Sequence, residues 1–294
     1  MSAPLEASVI ICTRDRPRLT RETVQSILDG DGVPSEILVV DQSDELDQQL
    51  AALPAPVRYL HPGGAGLSIA RNIGVREAAH DVLVFADDDV RVSPGWLAAH
   101  LRALDAAGER AAVTGPVLPD EQDARPGAFA PSTVARGEPA VFAGRLRKDV
   151  FAGGNSTLRR SAIAEVGEFD PRLGAGAHFP AADDNDMGYR LLEAGYRIVF
   201  EPDAFLYHRV WRPKGHYVRL RWRYGRGKGG FYAKHLRLRD PHMLRRLGAD
   251  IGHRLARLPR AHRARRQALG DLAYCAGIVV GTLDWLARER ARGR

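Results

Sequence analysis

The sequence predicts an α/β protein whose mostly parallel central sheet is flanked by helices, followed by a basic, mainly helical C-terminal extension. Three observations carry that reading. Residues 7–41 run strand, helix, strand, and such a βαβ unit demands parallel pairing with a right-handed crossover. Residues 82–86 are a continuous apolar run ending directly on Asp87, Asp88 and Asp89. That suits a strand buried on both faces whose carboxyl end lies where open α/β sheets bind ligands. The third observation is charge. Residues 1–212 carry 22 Lys and Arg against 31 Asp and Glu, net −9, whereas residues 213–294 carry 21 against 5, net +16. An acidic, metal-using body and a basic tail with a different partner follow from that split.

In chain order, residues 7–12 are a first buried strand and residues 13–17 a loop. A helix begins near Leu19, with Thr20 as its cap and Val24, Ile27 and Leu28 at helical spacing, and Gly30 and Gly32 end it. Residues 36–40 form a second strand terminating at Asp41, and residues 56–60 a shorter third. No G-x-G-x-x-G follows the first strand, so the usual dinucleotide fingerprint is absent. The glycine loop at residues 61–66 lets backbone approach a ligand closely. The next helix, residues 67–79, turns Ile69, Ala70 and Ile73 inward and offers Arg71 near its start, which suits a diphosphate. A helix between Pro94 and Gly108 carries Trp96, Leu97, Leu101 and Leu104, and residues 111–117 form another strand. Residues 119–149, rich in Pro, Ala, Gly and charge, are expected to be a mobile excursion. Order returns at residues 151–156, and a helix over residues 160–166 follows. Asp183, Asp184 and Asp186 then open a helix that Gly195 stops, an acidic start favoured by the helix dipole. Residues 197–200 make a last strand, and Tyr207 and His208 close the body.

Composition narrows the class. At 45% hydrophobic and 27% charged, the 294 residues are an ordinary globular chain rather than a disordered one. Cys12 and Cys275 supply neither a disulfide framework nor metal-ligand spacing, which points to a reducing compartment. The N-terminus lacks the basic and apolar regions of a secretory signal, and the longest apolar stretch, residues 272–283, is too short to span a bilayer. The expected location is cytoplasmic, with the basic tail allowing peripheral attachment to the inner face of the cell membrane.

Three adjoining carboxylates repel one another and are costly to shield from water unless something positive pairs with them. A hard divalent cation, Mg²⁺ or Mn²⁺, meets that need through carboxylate oxygens. A solvated acidic turn before Pro94 would account for the triad alone, but the rest of the sequence decides against it. In order along the chain stand Ser8-Val9-Ile10-Ile11-Cys12-Thr13-Arg14, Val39-Val40-Asp41, Gly66-Leu67-Ser68-Ile69-Ala70-Arg71-Asn72, Asp87-Asp88-Asp89, Gly154-Asn155, Phe169-Asp170, Asp183-Asp184-Asn185-Asp186 and His208. This series resembles the inverting family-two glycosyltransferases of the GT-A fold and covers residues 7–210. The resemblance implies a catalytic domain over residues 1–212, with a nucleotide-sugar-binding half over 1–117 and an acceptor half over 118–212, and an extension over 213–294.

Such enzymes move a sugar from a nucleoside diphosphate to an acceptor hydroxyl, on a glycan, a lipid-linked or a secondary-metabolite acceptor. Negative charge builds on the leaving diphosphate, and a metal and arginines stabilise it. By resemblance, Thr13, Arg14 and Asp41 hold the base or ribose, Gly66 and Arg71 belong to the diphosphate loop, and Asp88 stands with the donor-binding residues. Asp87 contacts ribose and helps fix the metal, Asp89 coordinates it, and His208 is an additional metal ligand. Gly154 and Asn155 line the junction of donor sugar and acceptor. Inversion requires a base opposite the leaving group. Asp184 fits the aspartate of the family's Glu-Asp pair and Asp183 takes the glutamate's place, a departure that leaves the division of labour between them open. The donor expected from the resemblance is a UDP- or dTDP-sugar.

Two rival readings remain on the page. A nucleotide-sugar pyrophosphorylase has a related fold and a metal, but its longer glycine-rich loop after the first strand is missing. A nucleic-acid-binding protein is suggested by residues 221–230, which interleave arginine, aromatics and glycine. The carboxylate clusters would repel phosphates without a metal, so nucleic acid is not the expected partner. In the tail, Leu244, Leu247, Ile251, Leu255 and Leu258 form an apolar stripe beside Arg245, Arg246, Arg254 and Arg257. Pro259 ends it, and Arg260, Arg263, Arg265 and Arg266 follow. A basic helix with an apolar face suits an anionic membrane surface or a lipid-linked acceptor. Packing on the body, or on a second subunit in a homodimer, is the alternative left open.

Overall fold

The computed structural model describes residues 5–237, 240–258 and 265–292. Strands β1 (Ala7–Thr13), β2 (Glu36–Asp41), β3 (Val57–Leu60) and β4 (Val82–Asp87) run parallel in the order β3-β2-β1-β4. All of β2 and the first five residues of β4 are buried, as their unbroken apolar runs require. Helices α1 (Pro17–Leu28), α2 (Gln48–Ala51) and α3 (Leu67–Glu77) make the crossovers. Pro17 opens α1, where a missing N–H costs nothing. Thr20 is therefore not a cap: it lies inside the helix, its hydroxyl bonded to the Arg16 carbonyl and to Thr13. Ile69, expected inward, is 39% exposed. Helix α3 lies on β1 through Gly74, whose Cβ would fall 2.5 Å from Ile10, and this rotation buries Ser68, Arg71 and Asn72 instead.

After β5 (Val90–Val92), α4 (Trp96–Ala107) and β6 (Ala111–Thr114), the strand expected over residues 111–117 divides. Gly115, whose Cβ would sit 1.9 Å from the Ala204 carbonyl oxygen, and Pro116, which has no N–H, release the chain from the main sheet. Strand β7 (Val117–Pro119) then joins a second sheet ordered β5-β12-β7, with β12 at Leu206–His208. Residues 119–149 are not the structureless excursion expected. Within them β8 (Ala128–Phe129) pairs with β13 (Arg212–Pro213), and β9 (Ala140–Phe142) forms the far edge of the main sheet against β11 (Arg197–Phe200). Strands of two or three residues carry too little alternation to be read from a pattern.

Strand β10 (Asn155–Arg159) inserts antiparallel between β4 and β6, completing the order β3-β2-β1-β4-β10-β6-β11-β9. Because it runs antiparallel, its start at Gly154 and Asn155 arrives beside the carboxyl end of β4. One face of the sheet packs on α1 and α4, with Val24, Ile27, Trp96 and Leu104 in the core. The other packs on α3, α5 (Arg160–Val166) and α6 (Asp183–Glu193), with Ala70, Ile163, Met187 and Leu191.

Among its described residues the extension carries the helices α7 (Tyr217–Arg237), α8 (His242–Leu255) and α9 (Arg265–Arg292). Helices α7 and α9 meet backbone to backbone. A Cβ on Gly225 would lie 2.2 Å from the Tyr274 carbonyl, on Gly229 2.2 Å from that of Ile278, and on Gly281 2.2 Å from that of Arg226. Small residues four apart permit this approach. The glycines that suggested nucleic acid thus serve helix packing, while Arg221, Arg226 and Lys228 face Asp271, Asp284 and Asp149. The α8 stripe is split. Leu247 and Ile251 pack on a core of Phe231, Tyr232, Met243 and Tyr274, whereas Leu244 and Leu255 remain exposed. Arg246 is buried on Asp149, and Arg254 stacks on Tyr274 and pairs with Asp250 and Asp271. Much of the basic face of α8 is thus turned inward, because Asp149 and Asp271 lie beneath it. Pro259, Arg260 and Arg263 lie outside the described residues. The stretch over 272–283 lies within the longer α9, which by length and composition is long and apolar enough to cross a membrane.

Candidate active site

Two adjoining cavities open at the carboxyl ends of the parallel strands, sharing Leu67, Ser132 and Ala175. The smaller, about 320 Å³, is lined by Thr13, Arg14, Gly66, Asp87, Asp89 and His208 among others. The larger, about 690 Å³, reaches from Asp183 and Asp184 to Arg221, Tyr224, Lys228 and Tyr274 of the extension. The acidic triad follows from strand ends. Asp87 closes β4 with 42% of its side chain open, while Asp88 and Asp89 turn inward ahead of β5. Thr13 Oγ1 donates to Asp88 Oδ2 at 2.7 Å. Arg16 Nη1 donates to Asp88 Oδ1 at 3.0 Å and to Asp89 Oδ2 at 2.7 Å. Burial and then the charge of Asp89 push the Asp88 carboxyl up to about 7, with Arg16 and Thr13 opposing. The pairing of β12 with β5 sets His208 against Val90, which brings its Nε2 to 3.6 Å from Asp89 Oδ1.

Asp87, Asp89 and His208 are therefore on one wall, but among the described residues no group of three His, Cys, Asp or Glu side chains is gathered tightly enough to hold a metal ion. Arg16, which sequence reasoning missed, balances Asp88 and Asp89, while Asp87 pairs with Arg71. The donor types still fit a divalent ion: two carboxylates, one of them open, and a buried histidine whose Nδ1 has no hydrogen-bond partner among the described residues.

Arg71 joins the two cavities. The residue is 4% exposed; its guanidinium donates from Nη1 to Asp183 Oδ2 at 2.5 Å and from Nη2 to Asp87 Oδ1 at 3.4 Å, and lies over the Phe169 ring. Burial works against its charge, but Asp183 and Asp87 outweigh burial and hold it protonated. It stands behind the carboxylates rather than on the diphosphate loop wall. Gly153 and Gly154 are required by close approach: a Cβ on Gly153 would lie 2.9 Å from Arg71 Nη1, and one on Gly154 2.0 Å from Asp87 Oδ2.

Asp183 and Asp184 begin α6 directly after Ala182, which adopts a left-handed φ of 74°. A residue with a Cβ holds that conformation only where its surroundings impose it. Asp183 is locked by Arg71. Asp184 forms no ion pair among the described residues; its Oδ1 accepts from the Asn185 amide at 2.7 Å. Burial and then the neighbouring Asp183 raise its carboxyl to about 7. Asp186 faces inward, bonded to Arg190, Lys234 and His235.

Two expected donor residues lie elsewhere. Asn155 is fully buried, its Oδ1 accepting from Trp96 Nε1 at 2.8 Å and bonded to His100 Nε2 at 2.9 Å, and its Nδ2 donating to the Pro116 and Ala204 carbonyls. It fastens β10 to α4 and the neighbouring loops. Asp41 is 2% exposed, its carboxylate taken by the Ser43 amide and hydroxyl and by the Tyr59 hydroxyl at 2.8 Å. Gln42 lines the smaller cavity in its place, and its buried Nε2 has no partner among the described residues. Arg212, also unanticipated, lines the same wall.

Comparison with known proteins bears on the family and the fold. The model of the family "Glycosyl transferase family 2" matches residues 8–167. The succinoglycan biosynthesis protein ExoM of Rhizobium meliloti is 29% identical over 95% of this chain and 93% of its own. The probable N-acetylgalactosaminyltransferase 6 of Caenorhabditis elegans is 26% identical over 70% of this chain, which spans 37% of it. Among solved structures, the mannosyltransferase PcManGT of Pyrobaculum calidifontis, in complex with GDP-Man and Mn²⁺, superposes with a TM-score of 0.62 at 19% identity, covering 96% of this chain and 89% of its own. GalNAc-T7 with UDP, GalNAc and Mn²⁺ gives 0.55 at 19% identity, covering 72% of this chain and 45% of that one. At such identities the structures establish the GT-A fold, and the match over more than half the chain establishes the rest: this enzyme belongs to glycosyl transferase family 2.

Proposed function

We propose that this glycosyltransferase is inverting and metal-assisted, moving a sugar from a nucleoside diphosphate in the smaller cavity to an acceptor hydroxyl in the larger. The observation that carries this is the asymmetry of the two adjacent aspartates. Asp183 is ion-paired to Arg71, while Asp184 lines the acceptor cavity with no ion pair among the described residues and with a carboxyl raised to about 7. A base poised near neutrality takes the hydroxyl proton as the acceptor oxygen attacks the anomeric carbon and the bond to the diphosphate breaks. Asp183 and Arg71 position that base. Arg14, Arg16 and Arg212 line the cavity where charge builds on the leaving group. Asp87, Asp89 and His208 are the residues that would hold a divalent ion, which when bound supplies further stabilisation of that charge. Structural neighbours solved with UDP or GDP-Man and Mn²⁺ support a donor and a metal of these classes. Residues 1–117 supply most of the donor cavity, with His208 and Arg212 completing it; residues 118–212 supply most of the acceptor cavity, and residues 213–294 close that cavity from the far side.

Kinetics with a panel of nucleotide sugars test the reading. Asp184→Asn is expected to bind donor like the parent and lose at least about 100-fold in turnover. A dead Asp183→Asn beside an active Asp184→Asn would reverse the two roles, and a product of retained configuration would overturn single displacement. Chelation by EDTA and Asp89→Ala are each expected to abolish transfer; full activity in EDTA removes the metal from the proposal.

A further inference from the structure

We propose that the outer face of α9 docks this enzyme on an anionic lipid surface. Leu269, Leu272, Val279, Val280 and Leu283 are 57%, 46%, 53%, 41% and 62% exposed, and their spacing sets them along one side of the helix. The opposite side, carrying Tyr274, Ile278 and Trp285, is buried. Of the eleven large apolar side chains exposed among the described residues, seven lie on α8 and α9. Contiguous apolar surface of this kind marks an interaction site.

Charge decides which partner covers it. Arg265 and Arg266 at one end of α9 and Arg288 and Arg290 at the other are exposed. The acids of the same helix are withdrawn: Asp271 is buried, Asp284 pairs with Arg226 and Arg288, and Glu289 pairs with Arg172. A second copy laid on the stripe, in either direction, would set arginines against arginines. An anionic headgroup layer gains from the same charges. Length and composition would let α9 span a bilayer. Spanning, however, would carry Asp271 and Asp284 into hydrocarbon and strip the glycine contacts with α7. A helix lying in the interfacial plane keeps both. The stripe stands on the side of α9 away from Tyr274, which lines the larger cavity. Docking therefore sets that cavity about one helix diameter, ~10 Å, from the lipid.

Flotation of the full chain with vesicles tests this, using equal parts phosphatidylglycerol and phosphatidylcholine, or phosphatidylcholine alone. Binding is expected to the anionic vesicles at low salt and to weaken as salt rises. The combined Leu272→Gln, Val279→Gln and Leu283→Gln variant, whose changes are all on the exposed side, is expected to lose about tenfold in vesicle affinity with its melting temperature unchanged. Arg265→Gln with Arg266→Gln is expected to erase the preference for phosphatidylglycerol. The proposal is overturned if the intact protein does not float at low salt, or if the triple variant floats like the parent. It is equally overturned if light scattering shows a dimer that the triple variant dissociates, since a second copy then owns the stripe.

Discussion

At the scale of single residues, the two neighbours Asp183 and Asp184 differ in what they touch. One shares its charge with a buried guanidinium; the other opens on a cavity and is raised to about 7 by burial and by its neighbour. Only the ionised form of Asp184 accepts a proton, so kcat/KM for transfer is expected to climb through about pH 7 and level above it, measured as a pH–rate profile. The same shift runs the other way for stability. A folded carboxyl titrating above its ordinary 3.8 binds its proton more tightly than the unfolded chain does, so stability falls as pH rises from there to about 7. Asp184→Asn cannot ionise, and its advantage in melting temperature over the parent is expected to grow across that window and then stay constant. The positions of Asp183 and Asp184 were legible in the sequence because consecutive acids at a helix start form a local signal. Asn155 misled because Trp96 and His100, which satisfy it, lie far off in sequence, and Asp41 because Tyr59 joins the local Ser43 in closing its carboxylate.

At the scale of elements, buried parallel strands announced themselves through long apolar runs, and α1, α3, α4 and α6 through spacing and stops. The short strands β8 and β9 had no such signature, and neither did the antiparallel β10, whose Asn-Ser-Thr opening carries no apolar run. The α7 glycines carried a true signal with two meanings, and only the partner helix α9 chooses between them. Gly229→Val would drive a side chain against the Ile278 carbonyl and Thr282 amide, neither of which can yield without moving α9. It is expected to cost about 1–3 kcal/mol in denaturant unfolding. Gly215→Ala, with open space at its Cβ, is the matched control and is expected to be neutral.

At the scale of the molecule, charge asymmetry predicted a body and a tail, yet the tail is not an independent appendage. Phe231, Tyr232, Met243 and Tyr274 of the extension form one core with Ala182 and Tyr189 of the body, and Trp285 packs with Leu173 and Phe179. A chain cut after residue 212 is expected to aggregate or to lose cooperative melting, seen by calorimetry, because that core is left open to water. A soluble fragment with the parent's melting temperature would mean that the helices are dispensable to the fold. Packing between body and tail was not legible beforehand, since neither partner's pattern names the other.

One guanidinium, Arg71, is divided between a carboxylate of the smaller cavity and one of the larger. Whatever neutralises Asp87 changes Arg71's hold on Asp183, and with it the field at Asp184. Occupancy of either cavity is then felt in the other, and linkage makes the effect reciprocal: the factor by which donor alters acceptor affinity equals the factor by which acceptor alters donor affinity. Neither binding constant is a property of its own cavity alone, and order of addition becomes something the fold itself can set.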